Sequence, residues 1–120
     1  MKIVFIVDDN KTNLETARLE LEELYKIYAC ASAARMFSML QKITPDIILL
    51  DINMPEMNGL EALAKLKGDK KTAHIPIVLL TAHSDKETVM QGLQLGAVGY
   101  VVKPFSPKLL HERIRENIRL

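Results

Sequence analysis

Short apolar runs that each end at a polar side chain constrain the fold of this chain most strongly. The four runs, with the residues that end them, are Ile3 to Val7 before Asp8 and Asp9, Ile47 to Leu50 before Asp51, Ile77 to Leu80 before Thr81, and Tyr100 to Val102 before Lys103. If the runs are parallel strands of one sheet, their polar groups meet at the edge where open α/β sheets place functional groups. The pattern therefore predicts a site made of carboxylates, a hydroxyl and an ammonium group.

Helix-like segments separate these runs. The first helix, capped by Asn10 or Thr12, carries Leu14, Ala17, Leu21 and Leu24 on one face. A weak strand is predicted at 26–31, followed by a helix that Ser32 caps and that carries Met36, Phe37, Leu40 and Ile43 inward. A helix after Gly59 carries Leu60, Leu63 and Leu66 on one face, and a surface loop follows at 67–74. The next helix begins at Ser84 with Glu87 and ends at Gly96, and the last is capped by Ser106 and carries Leu110, Ile114 and Ile118 inward. Five strands alternating with five helices predict a doubly wound α/β fold with helices on both faces of a parallel sheet.

The composition indicates one globular domain spanning residues 1–120. The chain has 48% hydrophobic residues, which suits a sizeable core, and its 16 basic against 15 acidic side chains do not favour nucleic acid or an anionic membrane as a direct partner. The single cysteine, Cys30, rules out a disulfide framework and a thiolate metal site. The amino terminus is too short and too soon interrupted by acids for a signal peptide or a membrane span. We expect a cytoplasmic protein that is either complete as one domain or part of a longer chain.

The predicted site suits a metal ion and a phosphoryl group. Two carboxylates about 4 Å apart repel by about 4 kcal/mol at an effective dielectric of 20, so Asp8, Asp9 and Asp51 need positive charge among them. Lys103 supplies one charge, and Mg²⁺, with Mn²⁺ as an alternative ion, would supply the rest through carboxylate and phosphate oxygens. Thr81 can donate to a phosphoryl oxygen, and one of the three acids can itself attack phosphorus. Each residue alone has an ordinary structural explanation, but one shared cause accounts for all four strand ends.

Four motifs together resemble the receiver domain of bacterial two-component response regulators. They are Asp8-Asp9, the segment from Asp51 to Gly59 with the sequence DINMPEMNG, Leu80-Thr81-Ala82, and Lys103-Pro104-Phe105. The resemblance covers nearly the whole chain, and the ordered set is far more specific than any of its parts. It implies a flavodoxin-like fold with sheet order 2-1-3-4-5, which the residue pattern alone does not derive.

The resemblance also implies the chemistry of the acids. Asp51 would accept a phosphoryl group from a phosphohistidine on a histidine kinase or a histidine phosphotransferase. Asp9 and Asp51 would bind Mg²⁺ directly, Asp8 would act largely through water, and the main-chain carbonyl of Asn53 would complete the protein ligands. The expected chemistry is self-catalysed phosphoryl transfer and autodephosphorylation, without further enzyme activity.

A switch is implied at the same edge of the sheet. Thr81, the Ala82 amide and Lys103 would hold the phosphoryl oxygens, with the Lys103-Pro104 bond cis and the side chains of Asn53 and His83 flanking the group. On phosphorylation Thr81 would move toward the phosphate and Tyr100 would turn inward, changing the surface made by the fourth helix, the fifth strand and the fifth helix.

The effector that reads this surface is not indicated by the sequence. Residues 97–99 are Ala-Val-Gly, where many DNA-binding regulators carry an acidic pair, which favours a monomer or a weak phosphorylation-dependent dimer.

Two other classes of protein share parts of the pattern. A Mg²⁺-dependent aspartyl phosphatase would also use a carboxylate nucleophile, but its motif after the first strand is Asp-x-Asp, whereas Asp8 and Asp9 are adjacent. A flavin-binding module of the same topology would need a phosphate loop rich in Ser, Thr and Gly after the first strand. A degenerate receiver that only binds partners is disfavoured because every key position is filled.

Overall fold

The computed structural model describes residues 1–54, 56–82 and 86–118, in which strands and helices alternate throughout. The elements are β1 (Ile3–Val7), α1 (Lys11–Leu21), β2 (Lys26–Cys30), α2 (Ala33–Leu40), β3 (Ile47–Asp51), α3 (Gly59–Gly68), β4 (Ile77–Thr81), α4 (Lys86–Gln94), β5 (Gly99–Val102) and α5 (Pro107–Asn117).

The five strands form one sheet in the order β2-β1-β3-β4-β5, and every neighbouring pair is parallel. This confirms the predicted fold class and the strand order that the resemblance implied. In register, Asp51 pairs with Leu80 and Thr81 pairs with Val102. The carboxyl ends of β3, β4 and β5 therefore lie side by side.

Both faces of the sheet are covered, which explains why the central strands lack polar alternation. On one face, Phe5 and Ile48 pack in a core with side chains of α2, α3 and α4. On the other face, the alternate residues Ile6 and Leu49 pack with side chains of α1 and α5. All residues of β3 and β4 are consequently buried.

Polar caps begin four of the helices. Each cap side chain accepts a hydrogen bond from a main-chain N–H three residues later, which satisfies one of the free donors of the first turn. The pairs are Asn10 with Asn13, Ser32 with Arg35, Asn58 with Glu61, and Ser106 with Leu109. The cap of α1 is thus Asn10 rather than Thr12, and Gly59 is the first residue of α3 rather than the residue before it. The predicted cap at Ser84 lies outside the described residues.

Two predicted features in the helices are wrong. Leu24 lies beyond the end of α1 and is 47% exposed, because the chain turns toward β2 after Leu21 and buries Tyr25 in its place. Lys67 belongs to α3 rather than to a loop, and its Nζ donates to the carbonyl oxygens of Ala73 and Ile75. These carbonyls lie in the segment before β4, so the side chain ties the end of α3 to that segment.

Strand limits differ from prediction by single residues. Asp51 and Thr81 are the last residues of β3 and β4, β5 begins at Gly99, and β2 ends at Cys30. Asp51 and Thr81 therefore stand on the strands themselves, whereas Asp8 and Lys103 directly follow β1 and β5. No helix among the described residues is long and apolar enough to cross a membrane.

Candidate functional site

Main-chain hydrogen bonds bring the strand ends together at one edge of the sheet. The Asp8 N–H donates to the Cys30 carbonyl at 3.0 Å, and the Lys103 N–H donates to the Thr81 carbonyl at 2.8 Å. Asp8, Asp51, Thr81 and Lys103 consequently lie at or directly after the carboxyl ends of neighbouring strands. The convergence that the apolar runs predicted is present in the fold.

The Lys103 ammonium group is shared by two buried carboxylates. Its Nζ lies 2.9 Å from Oδ2 of Asp51 and 3.0 Å from Oδ2 of Asp8. Asp8 is fully buried and Asp51 is 1% exposed. Burial of a charge is costly unless it is paired, so one cation serves two acids here.

The electrostatics of the site favour a proton or a cation on Asp51. Burial raises the pKa of the Asp51 carboxyl to about 6, with the hydrogen bond from Lys103 lowering it and the charge of Asp8 raising it further. Burial alone would lower the pKa of Lys103, but its hydrogen bonds to Asp51 and Asp8 and their negative charges outweigh this and raise it. The ammonium group therefore stays charged while the acids compete for it.

Three carboxylates form a cluster that could hold a metal ion. Asp8, Asp9 and Asp51 each offer one oxygen, and these oxygens lie within 4.8 Å of one another. Oδ2 of Asp51 is buried, and the Lys103 ammonium group that it contacts at 2.9 Å is shared with Asp8. Hard oxygen donors that share one cation fit Mg²⁺ or Mn²⁺. Asn53 follows two residues after Asp51, and its N–H donates to Oδ1 of that acid at 3.2 Å.

Thr81 and Tyr100 line a common groove. The Thr81 side chain is buried and its hydroxyl donates to the Ala82 carbonyl at 3.2 Å, while Tyr100 is 44% exposed. Between α4 and β5 lies a mainly apolar groove of about 530 Å³, whose lining includes Thr81, Ala82, Met90 and Tyr100. The groove provides space beside Thr81 for a side chain that turns inward.

Two main-chain features shape the loops around the site. The Lys103-Pro104 peptide bond is cis, as the resemblance implied. After β3 the chain folds back so that the Gly59 N–H donates to the Ile52 carbonyl at 2.7 Å. A Cβ at Gly59 would lie 2.6 Å from Cα of Ile52 and closer still to the Asp51 carbonyl oxygen, so only glycine fits there. Pro55 and His83 lie outside the described residues.

Asn13 is a site residue that the sequence reasoning missed. Its side-chain amide donates to Oδ2 of Asp8 at 3.2 Å, and the Asn10 N–H donates to Oδ1 of the same acid at 2.9 Å. Asn13 lies in the first turn of α1, five residues after Asp8, and a polar side chain there points back toward the end of β1. Its position in the first turn of the helix after β1 was the only sequence signal for a role of Asn13 in the site.

Comparison with known proteins identifies the family. The family described as "Response regulator receiver domain" matches residues 4–115, nearly the whole chain. The chain belongs to this family. This receiver domain is 36% identical to the response regulator PleD of Caulobacter vibrioides over 117 residues, which are 97% of this chain and 26% of PleD. It is 35% identical over 119 residues to the phosphate regulon transcriptional regulatory protein PhoB of Pseudomonas aeruginosa, covering 98% of this chain and 52% of PhoB.

Solved structures agree with this family assignment. The chemotaxis protein CheY4 of Vibrio cholerae superposes with a TM-score of 0.92 at 28% identity, and the match covers 98% of this chain and 99% of that one. A CheY-like receiver domain protein from Methanospirillum hungatei gives a TM-score of 0.88 at 29% identity, covering 97% of this chain and 92% of that one. The receiver domain spans about a quarter of PleD and half of PhoB but nearly all of these two structures. Its membership implies a role in two-component signalling with histidine kinases or phosphotransferases.

Proposed function

We propose that this receiver domain is a phosphorylation-dependent switch in which Asp51 accepts a phosphoryl group from a phosphohistidine. The observation that carries the proposal is the burial of the Asp51 carboxylate and its contact with Lys103 at the sheet edge. Its carboxylate is buried, and its Oδ2 is paired with the Lys103 ammonium group at 2.9 Å. That oxygen can bind a metal ion or attack phosphorus once Lys103 turns away.

The transfer needs little from the protein beyond position and charge. A carboxylate oxygen of Asp51 attacks phosphorus while the P–N bond of the donor phosphohistidine breaks. The imidazole leaves with that electron pair and takes up a proton, and an acyl phosphate is left on Asp51. Lys103 turns from Asp8 and Asp51 to the phosphoryl oxygens, where its charge offsets their negative charge.

A divalent cation supplies the remaining positive charge. Asp9 and Asp51 would bind Mg²⁺ directly, together with the Asn53 main-chain carbonyl, and Asp8 would contact it largely through water. Mn²⁺ offers the same preference for oxygen ligands and would substitute. The cluster of carboxylate oxygens within 4.8 Å supports this assignment.

Thr81 and Tyr100 carry the signal away from Asp51. In this proposal the Thr81 hydroxyl leaves the Ala82 carbonyl for a phosphoryl oxygen, and the Ala82 amide and Lys103 hold the others. Tyr100, half exposed beside the groove, then turns inward behind Thr81. The support is that both residues line the same groove of about 530 Å³. The changed surface consists of α4, β5 and α5.

Residues 1–120 act as one receiver domain, and the output belongs to an effector outside this segment. PleD is about four times and PhoB about two times as long as the part that matches, which is consistent with such an arrangement. Val98 is 47% exposed where many DNA-binding regulators carry acid, so a dimer through this face would lack that charge. We infer a monomer, or a dimer that forms weakly on phosphorylation.

The test is incubation with phosphoramidate or acetyl phosphate, with and without Mg²⁺, followed by intact mass measurement. Wild type and an Asp69→Asn control should each gain one phosphoryl group in the presence of Mg²⁺. Asp51→Asn should gain none, and a chelator should prevent the reaction. If Asp51→Asn gains the same group as wild type, or if chelation changes nothing, Asp51 is not the Mg²⁺-dependent acceptor.

The stoichiometry of the same reaction separates a switch from an aspartyl phosphatase. A receiver takes up one phosphoryl group per chain and releases it slowly. A phosphatase would release many equivalents of inorganic phosphate in the same time. Phosphate release far above one equivalent would therefore contradict the proposal.

A further inference from the structure

The carboxylate of Asp8 is held by three donors, two from the start of α1 and one from Lys103 after β5. Oδ1 accepts the Asn10 N–H at 2.9 Å, and Oδ2 accepts the Asn13 side-chain amide at 3.2 Å and lies 3.0 Å from Nζ of Lys103. Asp8 is fully buried, so water does not replace a lost partner easily. Removing a donor from a buried charged acceptor carries a large cost.

In the proposed reaction one of these donors must leave. Lys103 lies almost equally close to Asp8 and Asp51, and it is the group expected to turn to the phosphoryl oxygens. When it does, Oδ2 of Asp8 keeps only Asn13 among the donors described here. The Asn13 amide is therefore in place to hold Asp8 while the lysine moves.

The position of Asn13 does not depend on Lys103. Asn13 lies in the first turn of α1, and its main-chain N–H donates to the side chain of the helix cap Asn10 at 3.0 Å. The helix fixes the main chain of Asn13, and the side chain then reaches Asp8. Because this placement does not use Lys103, Asn13 can stay in contact with Asp8 when Lys103 moves.

We propose that Asn13 is a positioning residue of the phosphorylation site. It fixes the orientation of the Asp8 carboxylate toward the metal site and leaves Lys103 free to neutralise the phosphoryl group. This inference rests on the proposed function of Asp51 and adds a residue outside the four motifs that carried the resemblance. Outer partners that orient the groups around a metal ion commonly affect metal affinity by about 10-fold or more.

A purely structural role for Asn13 can be distinguished. The cap of α1 uses the side chain of Asn10 and the main chain of Asn13, so Asn13→Ala leaves that hydrogen bond intact. Alanine is also a better helix former than asparagine. The variant should therefore fold, and any loss at the site should exceed any loss in stability.

The first experiment measures Mg²⁺ binding by titration of the metal-free protein without phosphodonor. We expect Asn13→Ala to bind Mg²⁺ about tenfold more weakly than wild type. The matched control is Asn117→Ala, which removes a side-chain amide that donates to the Arg113 carbonyl at 2.8 Å on α5. This control should bind Mg²⁺ as wild type does. Equal Mg²⁺ affinity in Asn13→Ala and wild type would overturn the proposal.

The second experiment measures the rate of phosphorylation by phosphoramidate at saturating Mg²⁺. Asn13→Asp keeps the shape of the side chain but cannot donate to Asp8, so we expect it to react about tenfold more slowly. A wild-type rate in Asn13→Asp would mean that only the size of residue 13 matters, and it would refute the role. If wild type itself gains no phosphoryl group, the function of Asp51 fails, and the Mg²⁺ titration still decides the role of Asn13.

Discussion

Nζ of Lys103 lies 2.9 Å from Oδ2 of Asp51, and the same ammonium group lies 3.0 Å from Asp8. Both acids are buried, so the lysine offsets two negative charges that would otherwise repel each other across the sheet edge. This pairing offsets the charges of the two acids without a metal ion. In the proposed reaction, Lys103 would have to leave these acids to contact the phosphoryl group.

Replacing Lys103 by methionine should destabilise the metal-free protein. Asp8 and Asp51 would lose their shared cation, and we expect the free energy of unfolding at pH 8 to fall by about 2 kcal/mol. Saturating Mg²⁺ should restore much of this loss, because the ion binds the same carboxylates. Urea unfolding with chelator and with Mg²⁺ measures both effects. Lys108→Met, which removes an exposed lysine of α5, should change little, and an equal loss in both variants would contradict the explanation.

Asp51→Asn should make the metal-free protein more stable at neutral pH. Because the folded-state pKa of Asp51 is about 6 against an ordinary value of 3.8, the folded protein holds this proton more tightly than the unfolded chain does. Wild type therefore loses stability as the pH rises from about 4 to 6, up to about 3 kcal/mol, and Asn removes this loss. The difference in unfolding free energy between Asp51→Asn and wild type should be small at pH 4, increase with pH and become constant above pH 7. A variant that is less stable than wild type at pH 7.5 would argue against this cause.

Protons and Mg²⁺ should compete for Asp51. Metal ligands must be deprotonated, and the pKa of this carboxyl is raised to about 6. We expect the apparent dissociation constant for Mg²⁺ to change little between pH 8 and 7 and to rise toward tenfold per pH unit below pH 6. Isothermal titration calorimetry across this range measures the slope. The same affinity at pH 5 and pH 7 would show that Asp51 does not bind the ion.

Two glycines should differ in their tolerance of alanine. At Gly59 the added Cβ would meet main-chain atoms of Ile52 and Asp51, which cannot move without disturbing the site. At Gly92 it would meet the end of the Leu79 side chain, which can rotate, and alanine favours the helix by about 1 kcal/mol. We expect Gly59→Ala to cost about 3 kcal/mol and Gly92→Ala clearly less. Thermal or urea unfolding of both variants makes the comparison, and the reverse order would refute it.

Lys67 should contribute to stability through hydrogen bonds rather than an ion pair. Burial lowers the pKa of its ammonium group, and Nζ donates to the carbonyls of Ala73 and Ile75. Lys67→Met keeps the apolar stem but removes both donors, and we expect a loss of about 1–2 kcal/mol. Lys65→Met on the exposed side of the same helix is the matched control. Equal stability of the two variants would mean that the two carbonyls find other partners.

Local patterns were sufficient for most elements and for the acids, the threonine and the lysine at the sheet edge, but not for Asn13. Continuous apolar runs predicted the buried strands, and cap residues such as Ser32 and Ser106 predicted helix starts, because these signals depend on neighbours in the chain. Motif spacing pointed to the family, which the comparisons confirmed. The roles assigned to Asp51, Thr81 and Tyr100 stay predictions, since they concern a reaction.

The two wrong helix predictions, at Leu24 and Lys67, depend on how the chain packs beyond each helix. Helical spacing placed Leu24 on a buried face, but where α1 ends depends on how the chain must turn to start β2. The polar composition of residues 67–74 predicted that Lys67 lies in a loop. Its side chain instead donates from α3 to two carbonyl oxygens in the segment before β4. Spacing in the sequence carries no information about such partners.

The sequence by itself determined that this protein is a parallel α/β domain whose acids, threonine and lysine meet at one sheet edge, because periodicity and strand ends are local properties of the chain. Only the tertiary structure decided how those groups share partners. It placed Lys103 between Asp8 and Asp51 and brought the Asn13 amide to Asp8. Such contacts depend on side-chain directions and burial across several elements, which a one-dimensional pattern does not specify.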